Sequence, residues 1–304
     1  MRDISTCDNN LYYVYIGTCN GKKKGVFKMM KLIKYDLING GKKNAVKFCA
    51  ISVFAILVCH LLSLSFENKI QNGLLELSTL SYGDYIVYFF SGMKEFVVEK
   101  DKDFVIPFIW MAEQLLICSL VFTYPIKDIS EHGTINLLQY GSRTKWWLSK
   151  CIWSIFQVIC YYIVVFLTIA VYTIFRGRFQ MSVHSSIFRT IDKVNITVDK
   201  LQFKQLIPIV LYSIFMVICI ITVSLIISRV IALLVVCIYN IVSVFLMNEL
   251  LLANASMLYR NSYFIEKGIN VHVVGTLSVL LSVLLVIVAI MYFGKYDIFQ
   301  KKRD

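Results

Sequence analysis

Six stretches of this chain are each apolar enough, and long enough at about 20 residues, to cross roughly 30 Å of hydrocarbon as a helix. They run over 45–66, 104–124, 151–175, 206–228, 230–253 and 273–293. No water reaches a bilayer core, so each stretch must satisfy its own backbone, and at this length the α-helix does so. The chain is 58% hydrophobic and only 16% charged over 304 residues, against roughly 25% charged in soluble domains. The expected fold class is an all-α integral membrane protein with six transmembrane helices, in one domain over 26–304. The fourth and fifth stretches are separated by little more than Arg229 and read as a tight helical hairpin.

Charge sets the expected orientation. With the N-terminus inside, the inner segments hold 18 Lys/Arg and 7 Asp/Glu, and the outer segments 12 Lys/Arg and 10 Asp/Glu. The basic bias places both termini in the cytoplasm, although the 176–205 loop, with six basic residues, pulls the other way. The net charge of +12 then reads as a topology signal, not as a nucleic-acid footprint. The nine cysteines fall in or beside the spans or in the N-terminal arm, so no disulfide framework is implied. Twenty-three lysines against eight arginines, with abundant Ile, Tyr, Phe and Asn, suit an AT-rich, low-GC bacterial genome.

Residues 1–25 read as a flexible polar arm. Over 26–38, Val26, Met29, Met30, Ile33 and Leu37 recur at helical spacing beside Lys28, Lys31 and Lys34. That pattern predicts a basic amphipathic helix lying on anionic lipid, either a plain topology anchor or a docking element. Gly40-Gly41 is expected to break it before the first span. Loop 67–103 is acidic, and its aromatic run from Asp84 to Val97 predicts a helix on the outer surface. Loop 176–205 reads as a small hairpin or an irregular cover.

The motifs of catalysis are missing. Gly17-Thr18-Cys19-Asn20-Gly21-Lys22-Lys23 is one residue short of a phosphate loop and lacks its Mg²⁺-binding hydroxyl. The four histidines are scattered, in no zinc pattern. Within the spans, the polar candidates for a substrate pathway are Glu113 with neighbouring Gln114, Asn240, and Glu249. An intramembrane acid costs about 3 kcal/mol on insertion scales and is usually kept for a reason. The plainer reading makes Glu113 a neutral packing residue and Asn240 an interhelical hydrogen-bonding group.

One compact polar segment, 127–145, interrupts the apolar run. Pro125 ends the second span, Asp128 or Ser130 can cap a new helix, and Glu131 suits its positive N-terminal end. Gly141 is a natural stop, and Trp146-Trp147 marks re-entry. A short helix on the cytoplasmic face is expected. The run Glu131, Gly133, Thr134, Leu137, Leu138, Gly141, Ser142, Arg143, followed by Lys150, resembles the segment after the second span in permease subunits of type-2 ABC transporters. The layout of spans resembles that family over nearly the whole chain, and the residue-level likeness covers about 25 residues.

The resemblance implies a cytoplasmic coupling helix between spans two and three. Asp128, Glu131, Gly133, Thr134, Ser142, Arg143 and Lys145 would then lie at or near the docking contact with an ATP-binding-cassette ATPase subunit. It also implies a homodimer or heterodimer with a second permease, and re-entrant structure before the sixth span. No cofactor is expected on this chain, with ATP and Mg supplied through the partner. The expected function is an exporter membrane subunit. Its cargo would be amphipathic or hydrophobic, such as an antimicrobial peptide, a drug or a lipid, because the spans are aromatic and poor in charge. An intramembrane enzyme or an ATP-independent carrier or channel is the competing reading.

Overall fold

A computed structural model describes residues 21–75, 79–96, 104, 106–129, 142–176 and 178–295, with side chains from 29 to 294. Nine α-helices are seen among the described residues: α1 Gly21–Gln71, α2 Tyr82–Phe89, α3 Phe108–Val121, α4 Tyr124–Asp128, α5 Arg143–Arg176, α6 Ser185–Ile191, α7 Phe203–Ile226, α8 Arg229–Phe245 and α9 Val271–Lys295. Strand pairing among these residues is confined to isolated bridges.

Five helical stretches are long and apolar enough to cross a membrane: α1 from Met29, α3 with α4, α5, α7, and α9. They fit a multi-pass membrane protein. Large apolar side chains are exposed along the outer faces, including Val53, Leu57 and Leu61 on α1, Leu167 and Ile174 on α5, and Leu280, Leu284 and Ile287 on α9. The opposite face of α1 buries Ile51, Ala55, Val58, Leu62 and Phe66, the i, i+4, i+7 stripe of a helix packed on one side. It lies along α5, and α7 occupies the centre against α3, α5, α8 and α9.

Three expectations change. Gly40-Gly41 does not break the first helix, which runs unbroken through both glycines. Two glycines cost roughly 1 kcal/mol each in a helix, but Gly40 lets the Trp153 indole of α5 press directly on the α1 backbone, where a Cβ would collide. The inward row of this segment is Leu32, Asp36 and Gly40, not the stripe through Met30, which is exposed. Lys31 and Lys34 are exposed, and the side chain of Lys28 lies outside the described set. The first helix and the first span are therefore one rod of 51 residues, roughly 75 Å long.

The acidic-aromatic loop does not present a surface helix. α2 is short, capped by a reciprocal Ser81–Asp84 box, and buried on most sides. Phe89 meets Phe54 of α1, and Tyr85 meets Tyr172 of α5. The fifth apolar stretch is also shorter than 230–253. α8 stops at Phe245 after 17 residues, about 25 Å of helix. Its trailing carbonyl, Leu246 O, accepts from Asn254 Nδ2 at 2.8 Å, and Asn248 O accepts from the same amide at 3.2 Å. The chain folds back there into buried 3₁₀ turns, Leu252–Ser256 and Leu258–Arg260.

The three connections expected on one side of the bundle do meet. Tyr82 N and Arg178 N join loop one to loop two, donating to Arg178 O and Leu80 O, while Leu258 N and Tyr259 N donate to Phe90 O and Ser91 O. Asp84, fully buried, accepts from Ser81 N and Oγ and from His184 N and Nδ1. Together they form a cap over one end of the helices.

Candidate functional site

At the other end of the bundle, three charged side chains are buried together. Asp36 on α1 and Lys150 on α5 are both 0% exposed, and Asp128 closes α4. Lys150 Nζ lies 2.5 Å from Asp36 Oδ1 and 2.7 Å from Asp128 Oδ2. Neutral donors complete the set. Tyr124 OH donates to Asp36 Oδ1 at 2.9 Å, Ser149 Oγ to Asp36 Oδ2 at 2.5 Å, and Trp146 Nε1 to Asp128 Oδ2 at 3.3 Å. The ammonium also faces the Tyr124 and Trp146 rings at 4.7 and 4.9 Å, inside the range of cation–π attraction.

Burying ions costs several kcal/mol each, and mutual attraction offsets that only when every remaining lone pair and proton is satisfied. Here two carboxylates share one ammonium, and three neutral donors close the network. The helices reach this geometry through local features. Pro125 starts α4 one residue into its first turn, where its missing N–H costs nothing. Ser142 accepts from Lys145 N at 3.4 Å and opens α5, so that Trp146, Ser149 and Lys150 share its inner face. Next to the knot, Asn44 Nδ2 donates to Leu120 O at 2.9 Å, and Lys47 Nζ donates to Ser119 O at 2.5 Å. Both carbonyls belong to the last turn of α3, which cannot satisfy them internally.

Of the expected docking residues, Glu131, Gly133 and Thr134 lie outside the described residues. Asp128 faces inward and is buried. Lys145 is half-buried. Arg143 is exposed but donates to Phe293 O at 3.3 Å and Gly294 O at 2.9 Å, at the end of α9, where a helix favours a cation. The charged segment is thus framed by Asp128 before it and Lys150 after it, with Arg143 tying its exit to the last helix. Sequence reading missed Asp36. The available signal was an acid at i+4 from Leu32 and i−4 from Gly40, on one helical face.

The expected pathway residues divide. Glu113 and Gln114 are buried within α3, and none of their side-chain polar atoms has a hydrogen-bond partner among the described residues. Tyr161, Tyr162 and Tyr212 are near enough to feel a charge at Glu113. Tyr162 OH bonds Ser213 Oγ at 2.7 Å, and Tyr212 OH donates to Asn240 Oδ1. Asn240 thereby joins α8 to α7, the interhelical role. Glu249 is corrected: it lies past the end of α8, exposed, with Asn270 N at 3.4 Å. Among the described residues no cluster of three His, Cys, Asp or Glu side chains could hold a metal.

No family model and no curated protein matches this chain. Its function is therefore argued from these side chains.

Asn240→Leu removes the Tyr212 bond and keeps the branching at Cγ. Interhelical bonds of this kind contribute about 0.6 kcal/mol, at most roughly 1.7. The expected result is a small drop in thermal stability in detergent, with no loss of folded protein on size-exclusion chromatography.

Proposed function

We propose that this chain is the membrane-spanning permease subunit of an ATP-binding-cassette exporter. Separate ATPase subunits bind the charged segment on the cytoplasmic side and supply ATP and Mg. The protein works as a dimer with a second permease, homomeric or heteromeric, in the cell membrane of a bacterium. Both termini are cytoplasmic, and the cargo is amphipathic or hydrophobic. The observation that carries this reading is the Asp36–Lys150–Asp128 knot. It fixes the two ends of the charged segment to the longest helix, so a push on the segment is delivered to α1 and α5 rather than absorbed by loops. Rigid elements with two packed arrangements are how such a push becomes alternating access.

A second reading, an ATP-independent carrier, is favoured by one observation: the Glu113–Gln114 pair inside the bundle, without hydrogen-bond partners among the described residues. Co-purification separates the two. The exporter reading expects an ATPase subunit to remain with the chain through gentle detergent extraction, and Glu131→Ala to weaken that association at least several-fold while leaving membrane insertion unchanged. Arg143→Ala is expected to loosen the end of α9 and to reduce transport-coupled ATP hydrolysis. Transport by the purified chain in vesicles with no ATPase subunit overturns the exporter reading.

A further inference from the structure

The cap contains a cleft of about 910 Å³, within the roughly 300–1,000 Å³ range of small-molecule sites. It is formed by the loop after α2, the start of α3 and the turn after α6, with Tyr259 of the 3₁₀ segment as one wall. Tyr88 supplies further aromatic surface, and Trp110, fully buried, packs within the wall. Trp110 is held by its indole N–H, which donates to Ser256 Oγ at 3.0 Å. The rim at Phe108 is 73% exposed, at the first residue of α3, so the mouth opens where a membrane-crossing helix begins.

Three charged side chains line this cleft, Lys94 and the neighbours Asp192 and Lys193, and the last two set opposite charges side by side. Asp192 accepts from Tyr259 OH at 2.5 Å through Oδ2, and its Oδ1 remains free to accept a further bond among the described residues. Burial raises the Asp192 carboxyl above its ordinary range, and the Tyr259 bond pulls the other way. The next residue, Lys193, is exposed and adopts φ +56°. That left-handed conformation costs a non-glycine residue about 1 kcal/mol or more. It turns the chain so that an acid and an adjacent base both reach the same cleft.

We infer that this cleft is a headgroup site for a zwitterionic phospholipid whose primary ammonium donates to Asp192 Oδ1 and whose phosphate meets Lys193. The headgroup's ammonium stands two carbons from its phosphate ester, so paired opposite charges complement it, whereas a purely anionic lipid would leave Asp192 facing a like charge. The aromatic walls add cation–π attraction for the ammonium. Phe108 and its neighbour Ile106, also exposed, give the acyl chains an apolar exit into the bilayer. This site is independent of whether the chain couples to an ATPase.

The test is native mass spectrometry of the purified full-length chain. It is released from mixed micelles carrying equal amounts of phosphatidylethanolamine, phosphatidylcholine and phosphatidylglycerol. The expected result is retention of phosphatidylethanolamine at least fivefold over either other lipid. Asp192→Asn is expected to abolish the preference and Lys193→Gln to reduce retention of phosphatidylethanolamine. Asp192→Glu keeps a carboxylate in the cleft, so it is expected to keep part of the preference and to separate the charge of Asp192 from a structural role. Equal retention of the three lipids by the wild-type chain overturns the proposal, as does displacement of phosphatidylethanolamine by a cationic peptide at equal concentration. Loss of the preference in Asp192→Glu to the same extent as in Asp192→Asn overturns it too.

Discussion

Lys150→Met is expected to destabilise the protein by about 3–5 kcal/mol, the usual consequence of removing one partner from a buried ion network. The methionine matches the length of the lysine stem, so little packing is lost. What is lost is the counter-charge: Asp36 and Asp128, both buried, are left within a few ångströms of each other with no cation between them. Thermal unfolding in detergent should fall by on the order of 10 °C. Combining Lys150→Met with Asp36→Asn and Asp128→Asn removes the surplus charge and should restore most of that loss. A Lys150→Met protein as stable as the wild type would show that the three groups are not coupled. The triple variant separates stability from function. It should fold, yet it loosens the tie between α1 and the charged segment, so the exporter reading expects ATP hydrolysis without transport from it.

Helices were legible where the driving force is transfer of apolar side chains out of water, which is local and repeats along the sequence. The spans near 45–66, 151–175, 206–228 and 273–293 all lie on helices. The discrepancies arise where a distant partner decides. Asp36 sits among lysines, and composition alone assigns such an acid to a wet surface. Only the approach of α5, made possible at Gly40 by the absence of a side chain, puts Lys150 against it. α2 carries the aromatic pattern of a surface helix, but two later connections, with Arg178 and Tyr259, fold over it. The sequence predicts a span running past Phe245 because the residues after it, Leu246, Met247, Leu250 and Leu251, stay apolar. The helix ends there because Asn254 and Arg260, many residues on, bind its last carbonyls. Glu113 and Gln114 stood out in sequence as polar residues inside a span, since an acid there is rare whatever surrounds it.

Arg260→Ala is expected to cost a similar amount, about 3–5 kcal/mol, because one buried guanidinium holds the cap to the helices. Its Nε donates to Met93 O at 2.9 Å, one terminal nitrogen to Ser243 O and Asn254 Oδ1, both at 2.5 Å, and the other to Val244 O at 2.7 Å and Lys94 O at 3.2 Å. Ser243 and Val244 lie in the last turn of α8, whose carbonyls have no partner within the helix and carry the negative end of its dipole. Burial lowers the guanidinium to about 10, with Glu95 acting in the opposite direction, so the side chain stays charged at neutral pH. Alanine would leave five acceptors without this donor, and the few that water cannot reach in the variant would each cost about 1–3 kcal/mol. Arg260→Lys should recover only part of the loss, because three donors on a flexible stem cannot replace a planar fork of five. Hydrogen exchange distinguishes this from general loosening: the amides of 246–270 should lose protection in Arg260→Ala while those of α5 keep it. Uniform exchange over both regions would mean that Arg260 is one packing residue among many. Met93 and Lys94 border the cleft beside Asp192, so the same variant should also lose the phosphatidylethanolamine preference, with Lys94, Asp192 and Lys193 all left in the sequence.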